Sequence, residues 1–161
     1  MQIKTTPAQA LKRRYPEQVV LVTTRNAGGR ANIMAVGWVT LAADDPLMFL
    51  LGIDDAAYTY QLIRQTREFV VAWPGTDMAP AVLYAGSQHG HRLDKLAHLR
   101  LPLQDGLKVR APLIKEAVAN FECKLVRIYQ PGNCPLIVGQ VLAAHVHRRA
   151  ARRRLYTVGP H

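Results

Sequence analysis

Apolar and polar positions follow one another in short blocks, punctuated by glycine, proline and aspartate. Val19–Thr24 is aliphatic and β-branched and predicts a strand. Asn26-Ala27-Gly28-Gly29-Arg30 follows, and its two glycines tolerate the positive φ that a tight hairpin turn demands. Asn32–Ala42 predicts the returning strand. Asp44-Asp45-Pro46 interrupts the pattern, and the almost wholly apolar Leu47–Ile53 predicts a buried strand. The period then changes. Across Asp54–Thr66, Tyr58, Leu62 and Ile63 fall on one face of a helix that Asp54 or Asp55 can cap. Glu68–Trp73 predicts another strand, stopped by Pro74-Gly75. Thr76–Gly86 predicts a second helix weakened by Pro80, and Asp94–His98 a helical turn. Residues 101–112 read as irregular, and the polar residues 1–18, with Pro7 and Pro16, as a leader packed on a rim.

The last third is clearer. From Ala117 to Tyr129, Phe121, Cys123 and Leu125 lie on one side and Glu122 and Lys124 on the other, the period-two mark of a half-buried antiparallel strand. After the turn at Pro131-Gly132-Asn133, Leu136–His147 returns, with Gly139 as a bulge or a point of close approach. Hairpins with inserted helices predict a mainly β fold, a small antiparallel barrel that removes exposed edges by closing. No repeat or low-complexity linker divides the 161 residues, so a single domain over 1–161 is expected.

Composition narrows the class. Apolar residues make up 49% and charged residues 20%, a globular mixture. No apolar run approaches the roughly 20 residues of a bilayer span, and Met1-Gln2-Ile3-Lys4 opens no signal-like stretch, so a cytoplasmic, non-membrane protein is expected. Residues 1–80 hold 8 basic and 7 acidic side chains and residues 81–161 hold 13 and 4, so the net +10 divides as +1 and +9. Five of those bases are Arg148, Arg149, Arg152, Arg153 and Arg154, a basic C-terminal segment over 148–161. Such a run reads as a solvated tail or helix face, as a nucleic-acid or anionic-surface contact, or as an attractor of anionic cofactors. Cys123 and Cys134 lack CxxC spacing and read as small buried thiols.

The chain carries no GxSxG, Walker, HExxH or Gly-rich dinucleotide motif. His89, His91 and His98 have no cysteine or paired carboxylate to complete a ligand set, so no metal is expected. On Asn32–Thr40, the equal parity of Asn32, Met34, Trp38 and Thr40 puts two polar and two apolar side chains on one face, and Gly37 lets a flat group approach the backbone. The plainer reading is a barrel strand with a core tryptophan and two surface polar groups. Tyr58 and Thr59 open a helix, where hydroxyls and free N–H groups hold anions; the plainer reading is a core tyrosine and a helix-start threonine. Arg92 or Lys95, in the basic stretch Gly86–Lys95, can neutralise an anion or simply face solvent.

Taken in order, Thr23-Thr24, the Gly turn, Asn32-Ile33-Met34-Ala35-Val36-Gly37-Trp38, Pro46, Tyr58-Thr59, Glu68-Phe69-Val70-Val71 and Asp94-Lys95 resemble the flavin reductase-like family, which includes the flavoredoxins. The resemblance covers most of the chain. It implies a Greek-key-like, FMN-binding split β-barrel, with Asn32, Met34, Ala35, Val36, Gly37, Trp38 and Thr40 along the flavin and Tyr58, Thr59, Arg92 and Lys95 toward its phosphate. It also implies NADH or NADPH as electron donor, a homodimer whose second subunit completes the pocket, and no catalytic side chain, because the cofactor carries the chemistry. One departure stands out. Gly132-Asn133-Cys134 occupies the hairpin where relatives often have Gly-Asp-His, which leaves the substrate open. Two other functions stay in play: an FMN-binding electron carrier without direct NAD(P)H activity, and a basic nucleic-acid-binding barrel.

Overall fold

The computed structural model describes residues 1–149 and 151–159. Among the described residues eleven strands and four α-helices follow in chain order, with one 3-10 turn at Thr76–Met78: α1 (Pro7–Leu11), β1 (Glu17–Gln18), β2 (Val20–Arg25), β3 (Ala31–Val36), β4 (Val39–Asp44), β5 (Leu47–Gly52), α2 (Tyr58–Thr66), β6 (Glu68–Trp73), α3 (Ala79–Ser87), α4 (Lys95–Leu99), β7 (Leu103–Gln104), β8 (Leu113–Ile114), β9 (Ala119–Tyr129), β10 (Leu136–Val146) and β11 (Tyr156–Thr157). Seven strands form one antiparallel sheet in the order β3-β2-β6-β9-β10-β5-β4.

That order determines the shape. β3 and β4 are consecutive in sequence yet stand at opposite edges of the sheet, joined only by Gly37 and Trp38. Two residues span only a few ångströms of chain, so the sheet must curl until its edges meet. The single strand expected over Asn32–Ala42 is therefore two, and the barrel does not close by a ladder. Its edges are joined at a corner and stay split along the rest of their length.

β2 sits where both faces are covered. Val20 and Val22 point into the barrel with Phe49, Leu51, Phe69, Cys123 and Ile137. Val19 and Leu21 point outward into a second cluster with Ile33, Val82, Ala85, Leu96 and Ile114, contributed by the helices and loops outside. Gly139 is both things expected of it. The β9–β10 register shifts between Val138 and Gly139, and a Cβ there would run into the Phe69 ring. At the first hairpin only Gly29 adopts positive φ, at +86°.

Several expectations are revised. α2 ends at Thr66 as expected but starts at Tyr58, after a turn that Asp54 holds through its Oδ1 and the Ala56 N–H at 2.8 Å. Pro80 does not weaken α3. It lies in the first turn, where its missing N–H has no helical partner to lose. Glu122, expected on the solvent side of its strand, is 0% exposed because the loop before β8 folds over it. The carboxylate accepts the N–H groups of Leu107, Lys108 and Val109 at 2.6–2.9 Å and meets His145 Nε2 at 2.6 Å. Burial pushes this carboxyl up, but those partners outweigh it and hold it below the ordinary value.

Across residues 151–159 the basic C-terminal segment is not a solvated tail; positions 150, 160 and 161 lie outside the described residues. β11 pairs with β1, Arg154 bridges to Gly75, and Arg152 contacts Asp77 and, at 2.9 Å, Glu116. Arg148, Arg149 and Arg153 remain exposed. Cys123 is buried, with its thiol pushed up to about 12 by burial, and Cys134 is half-buried. No helix among the described residues is long and apolar enough to cross a membrane.

Candidate functional site

Two adjoining cavities lie along β3 and share Met34, Asp54 and Gly86. The first, about 340 Å³, is a slot floored by Met34 to Trp38 and walled by Gly52, Ile53 and the α3 side chains Val82 and Leu83. Its floor and walls are mainly apolar, with backbone close to hand, and Arg14, Glu17 and Asp54 complete its lining. Gly37 is exposed with nothing near its missing Cβ, and the Trp38 ring lies against Gly52, so that a Cβ at Gly52 would sit tightly, 3.0 Å from the ring. Trp38 is 56% exposed, so the ring edges the slot rather than filling a core.

The second cavity, about 260 Å³, is also lined largely by apolar surface but gathers the polar side chains Asn32, Thr59 and Lys95. Asn32, Thr59, Tyr58, Gly90, His91 and Lys95 line it. Asn32 Nδ2 donates to Thr59 Oγ1 at 2.9 Å and to Thr24 Oγ1 at 3.3 Å. That leaves the Thr59 hydroxyl proton available to another acceptor. Ala57, the N-cap of α2, has no side chain to satisfy the first-turn N–H groups. His91 packs on Tyr58 with ring centroids 4.6 Å apart. Gly90 abuts Asn32 and Tyr58 with no space for a Cβ.

Lys95 is the decisive group. It is 4% exposed, and its Nζ donates to the carbonyls of Ala85 at 2.8 Å and Gln88 at 3.2 Å. No carboxylate among the described residues pairs with it. Burial lowers its pKa to about 8. An ammonium has three protons; two are spent on carbonyls, and the charge lacks a counter-ion. The nearby acids are turned elsewhere. Asp54 holds its own turn, and Asp94 caps α4 through the Ala97 N–H at 3.0 Å. The arrangement is suited to an anion at the Lys95 end and a flat apolar group at the Trp38 end.

Of the residues singled out from sequence, Asn32, Tyr58, Thr59 and Lys95 line the polar cavity, Ala35, Val36, Gly37 and Trp38 the slot, and Met34 both. Thr40 does not join them. The break at Gly37-Trp38 interrupts the strand parity, and Thr40 lines a separate cavity with Leu41, Phe49 and Trp73. Arg92 is exposed and lines neither cavity. Asn32 sits with the polar groups instead of against the flat slot. Sequence reasoning missed Gly90 and the slot residues Tyr15 and Thr157 near the two ends of the chain, which β1–β11 pairing brings to the slot. No local pattern marks them.

Comparison with known proteins gives a consistent result. A family model described as "Flavin reductase like domain" matches residues 12–159. An uncharacterized protein of Pyrococcus abyssi is 38% identical over 129 residues, covering 80% of this chain and 73% of its own. A flavoredoxin from Methanosarcina acetivorans superimposes with a TM-score of 0.83 at 25% identity, covering 100% of this chain and 92% of that one. An FMN-binding protein from Thermus thermophilus, solved with bound p-hydroxybenzaldehyde, has a TM-score of 0.85 at 24% identity and coverage of 99% and 91%. The split barrel, its paired cavities and the match over nearly the whole length place this chain in the flavin reductase-like domain family.

Proposed function

We propose that the two cavities together hold FMN, and that the protein is an oxidoreductase that takes electrons from NADH or NADPH. The observation that carries this reading is the buried, unpaired ammonium of Lys95 at the polar end of an apolar slot. A buried lysine without a carboxylate is costly unless an anion completes the site, and a phosphate does so. Thr59 and the open first turn of α2 add a hydroxyl and N–H groups to the same cavity. Met34 to Trp38 offers a slot for a flat ring, with Gly37 leaving the backbone accessible. The residues therefore fit the group. When bound, FMN supplies hydride acceptance and electron transfer.

The chain's own residues bind, orient and exclude water. Lys95 and Thr59 anchor the charged end, while Trp38 and Leu83 line the apolar end. No side chain needs to act as acid or base. Trp38 and Leu83 are large, exposed and line the slot, and a second copy of the chain would cover them as a two-fold homodimer.

Anaerobic mixing of FMN-loaded protein with NADPH or NADH tests the reading. Bleaching of the bound flavin by at least one nicotinamide is the expected outcome. Bleaching by dithionite but by neither nicotinamide would make the protein an electron carrier.

A further inference from the structure

A third cavity lies on the other side of the Gly37-Trp38 corner, at a mouth of the barrel. It is about 390 Å³ and is lined by Val39, Thr40, Leu41, Phe49, Trp73, Phe121, Gln18 and Arg154 among others. It shares no residue with the slot or the polar cavity.

Two features set it apart from a packing defect. Its base is an aromatic cage. Phe49, Trp73 and Phe121 meet edge to face, with centroids 4.6–5.4 Å apart. Its wall is cationic. Arg154 lies 4.9 Å over the Trp73 ring and 5.2 Å from that of Tyr156, and donates to Gln18 Oε1 at 3.2 Å. Among the described residues no carboxylate pairs with Arg154. Its Nε and the Trp73 Nε1 are buried donors without a protein acceptor. Both atoms are closed off from the cavity, so a ligand there would meet the rest of the guanidinium. An apolar, aromatic interior beside a cation that lacks a carboxylate selects for one ligand chemistry: a ring to fill the cage and a carboxylate to meet the Arg154 charge.

We propose that this cavity is a second ligand site, separate from the flavin cleft, which binds a small single-ring aromatic carboxylate with its carboxylate on the Arg154 guanidinium and its ring among Phe49, Trp73, Phe121 and Leu41. The inference does not depend on the flavin reading, because none of its residues belongs to the cleft.

Phenylacetate titrated into the full chain and followed by calorimetry provides the test. Saturable binding is expected, at least about tenfold tighter than phenylacetamide, which has the same shape without the charge. Arg154→Gln, checked for folding by circular dichroism, is expected to weaken it about tenfold or more. Thr40→Trp, an exposed position at the cavity, is expected to block it without touching the Arg154 contacts. Lys95→Gln and added FMN are expected to leave it unchanged. No binding up to about 10 mM would overturn the proposal. So would equal affinity for the amide, full binding by folded Arg154→Gln, or displacement of phenylacetate by FMN.

Discussion

Lys95 is the group most sensitive to what the site contains. Its pKa is lowered to about 8 in the folded chain, so between there and its ordinary value near 10.5 the unfolded chain holds more protons. Stability of the ligand-free protein should therefore rise as pH climbs from about 8 toward 10, read as a rising urea midpoint. FMN affinity should run the opposite way, highest below about 8 and falling above it, because the anchoring charge is lost. Lys95→Gln combined with Thr59→Ala should weaken FMN by about 2–4 kcal/mol, measured by quenching of flavin fluorescence. Asn32 has a different part: it spends its amide on Thr24 and Thr59, which positions the Thr59 hydroxyl, and it lines the Lys95 cavity and not the slot. Parity alone had put it beside Trp38. The polar neighbours that reassign it come from β2 and α2, which no spacing within β3 reveals.

Among the elements, strands with strong alternation were legible in advance and boundaries set by distant partners were not. β2, β5 and β6 fall where their aliphatic runs put them, and Gly139 sits where its lack of a side chain was suspicious. Gly139→Ala pushes a methyl into the Phe69 ring and should cost about 1–3 kcal/mol of stability, visible as a lower urea midpoint with an unchanged slope. Glu122 shows what alternation cannot say. Its polar side chain marks the outer face of β9 correctly, but that face is covered by the loop carrying Leu107, Lys108 and Val109. Glu122→Ala removes a buried acceptor from three N–H groups and should cost about 3–5 kcal/mol. Because its carboxyl is held below the ordinary value, its stabilisation is present above that value and lost as pH falls through the depressed one. Acid unfolding of the parent protein should flatten in the variant.

For the molecule as a whole, the curling of the sheet brings the functional parts together. β3 and β4 can be neighbours in sequence and opposite edges of one sheet only because the barrel wraps round to the Gly37-Trp38 corner. The slot and polar cavity lie on one side of that corner and the Arg154 cavity on the other. The basic C-terminal stretch looked like a free tail because charge runs usually are. In the fold it is a strap: Arg152 and Arg154 are engaged by Asp77, Glu116, Gln18 and Trp73. With two of its five arginines so occupied, the intact protein should show little affinity for DNA and a salt slope near zero. The central claim is that the Lys95 end of the cleft takes a phosphate and the Trp38 end a flavin ring. Side-by-side titration of the purified chain with FMN and riboflavin tests it most directly. FMN should bind at least about tenfold more tightly, and Lys95→Gln should remove most of that preference; failure to bind either flavin, or equal affinity for both, would contradict it.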